Sequence, residues 1–179
     1  VTVTDNNACT ATANTNLSTP PQLSVSLSPT NPLCNAATNG TMAASAAGGT
    51  PGYTYTWNNG QNGATINNIG AGNYVVTVSD TNGCTATGNA TLTQPTPVSG
   101  SITPDNPNCN GTTDGSATVT ASGGTPTYTY TWNNGQNTAT ATNLSAGSYV
   151  VTITDQNNCT ATTSTNLTQP TPVTVSTTP

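Results

Sequence analysis

The sequence contains no Lys, Arg, His or Phe, and its five acidic residues are all Asp, so Glu is absent as well. Without imidazole, amine and guanidinium groups, the chain cannot build a Ser-His-Asp or Cys-His nucleophile, a His-ligated metal site or a cationic phosphate site. Little enzyme chemistry is left. We therefore predict that the chain is not an enzyme and that it uses no cofactor and no metal.

The charge balance restricts the partners in the same way. The formal net charge of the 179 residues is -5, with no cation to oppose it, whereas nucleic-acid binding rests on Lys and Arg that neutralise phosphates. No apolar run approaches the roughly 20 residues that cross a bilayer, and no basic segment followed by an apolar stretch opens the chain. We expect no nucleic-acid partner and no membrane insertion, and we expect any export or anchoring segment to lie outside this stretch.

A long internal repeat is what the sequence does contain. Trp57 and Trp132 lie 132 − 57 = 75 residues apart. The same offset relates Cys9 to Cys84 and Cys159, Cys34 to Cys109, and Pro20 to Pro95 and Pro170. A repeat that keeps its aromatic and cysteine positions in register indicates successive copies of one folded unit.

The repeat divides the chain into modules. Residues 21–96 and 97–171 form two complete units, whereas residues 1–20 match the C-terminal part of a preceding module, because Val1 aligns with Val76. Residues 172–179 match the first strand of a following module. We therefore expect a segment of a longer tandem array, in which neighbouring modules of the same chain are the first partners.

Within a unit the apolar residues alternate with polar ones, which is the period of a β-strand. Tyr53, Tyr55 and Trp57 share one face of a strand, for example. The pattern predicts strands at Leu23–Leu27, Thr41–Ala46, Tyr53–Trp57, Thr65–Ile69, Tyr74–Ser79 and Thr85–Leu92, with matching strands 75 residues later. Gly, Asn and Pro between them are typical of turns.

Short strands at this spacing predict an all-β fold of tandem immunoglobulin-like antiparallel β-sandwich modules with a 75-residue repeat. Tyr74 and Tyr149 each come just after Ala-Gly, in the motif Ala-Gly-x-Tyr at the start of a strand, and fit a tyrosine corner. The predicted structural core holds the strand aromatics Tyr55, Trp57, Tyr74, Tyr130, Trp132 and Tyr149.

The motifs resemble a known family. Gly-Gly-Thr-Pro-x-Tyr-Thr-Tyr-Thr-Trp-Asn-Asn-Gly occurs from Gly48 and from Gly123, followed by Tyr-Val-Val-Thr, a Cys and Leu-Thr-Gln-Pro. This combination resembles the SprB-type repeat of cell-surface gliding adhesins of Bacteroidetes, although the absence of Lys and Glu departs from it. The resemblance implies secretion to the bacterial cell surface and display as extracellular filaments used in adhesion and gliding motility. It identifies no binding residue.

The recurrent cysteines indicate disulfides, since a module with a small apolar core benefits from a covalent cross-link. The candidates are Cys34, Cys84, Cys109 and Cys159. If six strands run up and down, 34–84 and 109–159 pair within modules, and we favour this scheme. A seventh short strand after Trp57 would instead bring Cys34 to Cys159, and an 84–109 bond would bridge the linker.

The recurrent Asp has two interpretations. In Asp80-Thr81-Asn82-Gly83 and Asp155-Gln156-Asn157-Asn158 the carboxylate can cap a turn by accepting backbone N–H bonds. It can also be a Ca²⁺ ligand, which requires several oxygen atoms around one ion. We favour the turn cap because no second periodic Asp lies nearby.

Three functions remain open. The first is a structural stalk or filament shaft of an extracellular bacterial adhesin, used for surface attachment or gliding. The second is an adhesive module that binds glycans or surface polysaccharide through exposed Thr, Asn and Tyr. The third is a self-assembling extracellular filament subunit whose uncharged strand edges pair with other copies. We favour the shaft, because the two complete units differ mainly in small polar substitutions.

Overall fold

The computed structural model describes residues 1–177. The described residues form antiparallel β-strands and no helix, so none of them forms a helix that could span a membrane. Residues 172–177 of the predicted strand 172–179 are not in a strand, and residues 178 and 179 lie outside the described residues.

The strands follow the repeat. A short hairpin comes first, made of β1 (Thr2–Thr4) and β2 (Thr10–Thr12). Module 1 consists of β3 (Ser24–Thr30), β4 (Gly40–Ala47), β5 (Thr54–Trp57), β6 (Thr65–Ile69), β7 (Gly72–Ser79) and β8 (Thr85–Leu92). Module 2 consists of β9 (Ser99–Asp105), β10 (Gly115–Ser122), β11 (Thr129–Trp132), β12 (Thr140–Leu144), β13 (Gly147–Thr154) and β14 (Thr160–Leu167).

Each module is a sandwich of two three-stranded antiparallel sheets, in the orders β3-β4-β6 and β5-β7-β8 in module 1 and β9-β10-β12 and β11-β13-β14 in module 2. This arrangement is that of an immunoglobulin-like sandwich, in which the strands of two sheets face each other across one core. The predicted fold class is therefore confirmed. All six predicted strands of module 1 form, and the main difference is β3, which continues to Thr30 because its ladder with β4 runs as far as Thr41.

The strand directions place two loops at opposite ends of a module. Strand β4 is antiparallel to both β3 and β6, and β7 is antiparallel to both β5 and β8. Strands β3 and β6 therefore run in the same direction. Strand β7 begins two residues after β6 ends and runs back, and β8 runs opposite to β7, so β3, β6 and β8 all end at the same end of the module. The β3–β4 loop thus lies at the end where β8 leaves the module. We call this end the C-terminal pole, and we call the end with the β7–β8 loop the N-terminal pole.

A tight reversal after each tryptophan produces this arrangement. The Trp57 N–H donates to the Gln61 carbonyl at 3.0 Å, and Thr56 and Asn62 form an antiparallel bridge. In module 2 the Trp132 N–H donates to the Gln136 carbonyl at 2.9 Å. The chain therefore returns to the N-terminal pole before β6 and β12 begin.

The core of each module lies between its two sheets. In module 1 it contains buried side chains from both sheets, including Met42, Trp57, Ile66, Val76 and Leu92. Burying an aromatic and several aliphatic side chains of this size provides the main favourable term for folding of a module this small.

The hairpin β1–β2 repeats the register of β7–β8 but is not covered by a second sheet. Thr2 pairs with Thr12 as Thr77 pairs with Thr87. Val3 is 64% exposed, whereas Val78 at the matching position is fully buried. The strand pairing is thus encoded in the hairpin itself, and burial comes from the rest of the module.

Candidate functional site

The junction between the two modules is the place where the structure brings functional candidates together. Cys34 lies in the β3–β4 loop at the C-terminal pole of module 1, and Cys159 lies in the β13–β14 loop at the N-terminal pole of module 2. The two residues form a disulfide, with their Cα atoms 5.6 Å apart. The bond joins neighbouring modules rather than closing one module.

This connectivity corrects the favoured prediction. The pairings 34–84 and 109–159 within modules are wrong, and so is 84–109, because within residues 1–177 Cys9, Cys84 and Cys109 are free and exposed. The reason is the reversal after Trp57, which adds a short return segment and sends Cys34 and Cys84 to opposite poles. The alternative with a seventh short strand, which pairs Cys34 with Cys159, is the one that the structure contains.

An aspartate organises the loop that carries Cys159. The carboxylate of Asp155 accepts backbone N–H bonds from Asn157 at 2.9 Å, from Cys159 at 2.8 Å and from Thr125 at 2.8 Å. The first two bonds cap the turn, as predicted, and the third ties the turn to the loop before β11. These bonds, that of Thr125 above all, lower the pKa of Asp155 below its ordinary value.

Asp80 does the same in module 1. It accepts N–H bonds from Asn82 at 2.9 Å, from Cys84 at 2.8 Å and from Thr50 at 2.9 Å. The bond from Thr50 is the main cause that lowers the pKa of Asp80, and burial opposes it. Because the carboxylate oxygens face backbone donors, they serve as turn caps; within residues 1–177 no three His, Cys, Asp or Glu side chains gather as metal ligands.

The second glycine of the Gly-Gly-Thr-Pro motif makes room for this carboxylate. Gly49 has a φ of +64°, and a Cβ atom there would lie 2.6 Å from Oδ2 of Asp80. Gly124 has a φ of +60° and would contact Asp155 in the same way. Glycine is required here by both the backbone conformation and the close approach.

The linker between the modules is fastened to module 1. Thr93 and Asn31 exchange two hydrogen bonds of 3.0 Å, one through the Thr93 N–H and one through its hydroxyl. The Ala36 N–H donates to the side-chain carbonyl of Gln94 at 2.9 Å, and the amide of Asn35 donates to the Pro95 carbonyl at 3.0 Å. The first three linker residues are therefore held against the C-terminal pole.

The next linker residue is fastened to module 2. The Thr96 carbonyl accepts the N–H of Gly124 at 2.8 Å. Asn157 adds a direct contact between the modules by donating from its side-chain amide to the Leu33 carbonyl at 3.3 Å. Each linker residue from Thr93 to Thr96 is therefore hydrogen-bonded to one of the two modules. The disulfide and the contact from Asn157 join the modules directly as well.

The predicted core aromatics lie inside the modules. Trp57 and Trp132 are each 2% exposed, and their indole N–H groups donate to the carbonyls of Gly63 and Thr138, both at 2.9 Å. The half-buried side chains Tyr55, Tyr74, Tyr130 and Tyr149 pack against these cores. The hydroxyls of Tyr74 and Tyr149 donate to carbonyls four residues earlier, at 3.0 and 3.1 Å, which is the geometry of a tyrosine corner.

One protein-family model matches the chain at two places. Residues 26–62 and 101–137 match the model of the SprB repeat. These two matched segments begin 75 residues apart. The predicted resemblance is thus confirmed, and each matched segment runs from β3 or β9 through the reversal after the tryptophan. SprB repeats are associated with cell-surface proteins of the adhesin type.

Two solved structures of immunoglobulin domains are similar to the chain at low identity. A Dscam structure is 17% identical, with a TM-score of 0.36, over 73% of this chain and 41% of that one. The amphioxus IgVJ-C2 molecule is 17% identical, with a TM-score of 0.33, over 82% of this chain and 97% of that one. The chain spans less than half of the Dscam chain, and no curated protein matches it significantly.

Sequence reasoning missed several residues of the junction. The roles of Gln94, Asn35 and Asn157 follow only from the pole-to-pole arrangement. A signal was present, because each of these positions recurs with the same residue type at the 75-residue offset, as Gln169, Asn110 and Asn82. Without the strand directions, nothing indicated that these three positions meet.

Proposed function

We propose that this chain is part of the non-catalytic shaft of an extracellular bacterial adhesin, whose partners are the neighbouring modules of the same chain. The observation that carries the proposal is the disulfide between Cys34 and Cys159, which fastens one module to the next. A cross-link in this position adds nothing to a binding surface on one module. It opposes separation and bending of two consecutive modules, which is what a shaft requires.

The geometry of the linker supports the same conclusion. The chain enters each module at one pole and leaves it at the other, so successive modules extend lengthwise. The linker is hydrogen-bonded to module 1 through Gln94 and Pro95 and to module 2 through Thr96. Such a linker transmits orientation from module to module, unlike a flexible Gly/Ser-rich tether.

The disulfide also determines how tension would travel. When the two ends of the chain are pulled, the force passes from Cys34 to Cys159 through the disulfide. The chain segment between these two cysteines, which are 125 residues apart in sequence, then carries no force. Strands β4 to β13 lie inside this closed loop, and only β3 and β14 of the two modules lie outside it. The greater part of both modules is thus shielded from unfolding under load.

Single-molecule pulling of the whole chain from its two ends tests the proposal. Under oxidising conditions we expect short extensions that come only from residues outside the loop. After reduction, two module-sized steps should release about 400 Å of further length, given 3.3–3.6 Å per extended residue. The matched control is the double variant Cys34→Ser with Cys159→Ser, which should give the long steps without reduction.

Two results would contradict the shaft. Full module-sized steps of the unmodified chain under oxidising conditions would show that the cross-link does not shield the modules. Tight and specific binding of one polysaccharide on a glycan array, abolished by exchanging exposed Thr or Asn residues, would assign the chain to an adhesive tip.

A further inference from the structure

The edge strands of module 2 differ in how they are protected from pairing with another strand. The edges are β9 and β12 in one sheet and β11 and β14 in the other. An edge strand presents unpaired backbone groups, and proteins block such edges with charge, proline, bulges or very short strands. Because this chain has only five charged side chains, the other means decide which edges are open to a partner.

Strand β9 is blocked by a proline. Pro104 lies opposite Ala117 of β10, and the charged residue Asp105 follows it at the end of the strand. Proline has no backbone N–H, so β9 lacks a donor that an added strand would need, and proline within a sheet is typical of edges for this reason. Strand β3 of module 1 carries Pro29 at the same position.

Strands β11 and β12 are blocked in other ways. Strand β11 has only four residues, and short edge strands offer little to pair with. In β12 the side chain of Gln136 covers the backbone of Thr142. The Thr142 N–H donates to the side-chain carbonyl of Gln136 at 2.9 Å, and the Gln136 amide donates to the Thr142 carbonyl at 2.8 Å. The ladder between β12 and β10 also contains a register shift.

Strand β14 is long, regular and uncharged. Its eight residues include no proline and no charged residue. It pairs with β13 without interruption, from Thr160 opposite Thr154 to Leu167 opposite Gly147. Its alternate residues from Thr160 to Asn166 are exposed on the outer face of the sheet. Strand β14 is therefore the open edge of module 2.

An exchange of residues between the modules strengthens this edge. In module 1 the glycine is on the edge strand β8, where a Cβ atom at Gly88 would lie 3.0 Å from the side chain of Val25. In module 2 the glycine is on the facing strand β9, where a Cβ atom at Gly100 would lie 3.5 Å from Cγ2 of Thr163 in β14. Because glycine weakens the interior of a strand, the exchange makes β14 a better pairing strand than β8.

We propose that β14 pairs in antiparallel orientation with β14 of a second copy of this chain. The two three-stranded sheets β11-β13-β14 then join into one continuous sheet. The contact is isologous, so it closes as a dimer. Two chains lie side by side with opposite directions, and the poles of their modules stay free for the neighbouring modules.

The occupant is a second copy because β14 is complementary to itself. In a pairing centred on Thr163, Thr162 lies opposite Ser164 and Thr160 lies opposite Asn166, so exposed residues meet exposed residues. No charged residue occurs between 160 and 167, so no like charges face each other across the pair. Both strands are already formed, and binding therefore costs less ordering than the capture of a flexible peptide would.

The first test is sedimentation of the full chain with Cys9, Cys84 and Cys109 replaced by Ser, which excludes thiol exchange between chains. We expect a dimer that depends on concentration and changes little with salt, because it contains no ion pair. Ser164→Lys places a charge in the middle of the open edge and should raise the dissociation constant at least about tenfold. The matched control Thr131→Lys lies exposed on β11 of the same sheet and should leave the dissociation constant unchanged.

The second test determines the orientation of the pair. In the same background, Thr160→Cys and Asn166→Cys are prepared separately and treated with a short bismaleimide cross-linker. Antiparallel pairing brings position 160 of one copy to position 166 of the other. The mixture should therefore give more cross-linked dimer than either variant alone. Circular dichroism and tryptophan fluorescence check that each variant is folded.

Three results would overturn the proposal. These are a chain that stays monomeric up to about 1 mM, the concentration that corresponds to about 4.1 kcal/mol of binding free energy, a dimer that Ser164→Lys and Thr131→Lys weaken equally or not at all, and cross-links of like with like in excess. Each would leave the shaft untouched, because the shaft rests on the junction within one chain and is tested by pulling.

Discussion

The interior of a module and the junction between modules are held together by different means. The interior relies on a cluster of buried side chains around Trp57 or Trp132, whereas the junction relies on one disulfide, the bonded linker and the contact from Asn157 to Leu33. The difference teaches that the cysteines were not needed to complete the small core of a module. Their place in the fold is to connect one module, with its own core, to the next.

Replacing a core tryptophan should produce the largest loss of stability. In the Cys34→Ser, Cys159→Ser background, Trp132→Ala should destabilise module 2 by about 3–5 kcal/mol, because it removes a fully packed indole. Trp57 is then the only tryptophan left and reports the unfolding of module 1 by its fluorescence. The unfolding midpoint of module 1 should not move, whereas circular dichroism should show an earlier transition for module 2. The mirror-image control is Trp57→Ala; an equal shift of both modules in either variant would contradict their independence.

Acid should weaken both modules through the pKa values of Asp80 and Asp155. Backbone N–H bonds lower both pKa values in the folded state, so below about pH 4 the unfolded chain binds protons that the folded chain does not. The free energy of unfolding should therefore be flat from about pH 5 to about pH 7, since no His titrates, and should fall as the pH drops further. Urea unfolding at a series of pH values measures this.

The variants Asp80→Asn and Asp155→Asn provide the control for the acid effect. Each should lower stability at neutral pH and make the acid dependence shallower. An unchanged acid limb in the double variant would show that other groups carry the effect.

Removing a tyrosine-corner hydroxyl should have a smaller effect. Tyr74→Phe loses the hydrogen bond to the Gly70 carbonyl, for which about 1 kcal/mol is expected from denaturant unfolding. Tyr149→Phe is the matched variant in module 2 and should behave alike. A loss as large as that of Trp132→Ala would mean that the tyrosine supports more than its corner.

Chelation should have the smallest effect. Because the oxygens of Asp80 and Asp155 are occupied by backbone N–H groups, EDTA should leave the melting temperature unchanged. A fall that Ca²⁺ restores would replace the turn cap by a calcium site.

The sequence allowed the modules to be predicted well and the junction poorly. Alternating residues such as those of Tyr53–Trp57 and Thr85–Leu92 report burial on one face directly, so strands and core followed from local patterns. The position of Cys34 relative to Cys84 depends on the short return segment after Trp57, which contains Asn, Gly and Gln and no apolar alternation. A strand direction that is set by a few polar residues leaves no periodic signal in the sequence. Because that direction decides whether Cys34 lies near Cys84 or near Cys159, the disulfide partner could not be predicted from the pattern.

The connectivity of the cysteines is the central claim, and a peptide map without reduction tests it most directly. Trypsin finds no site in this chain, but cleavage before Asp gives fragments 5–79, 80–104, 105–113 and 155–179, which separate Cys34, Cys84, Cys109 and Cys159. In the Cys9→Ser variant, with free thiols blocked first, we predict a cross-link between fragments 5–79 and 155–179 and blocked thiols at Cys84 and Cys109 in the monomer. Cross-links of 5–79 with 80–104 and of 105–113 with 155–179 would contradict the account.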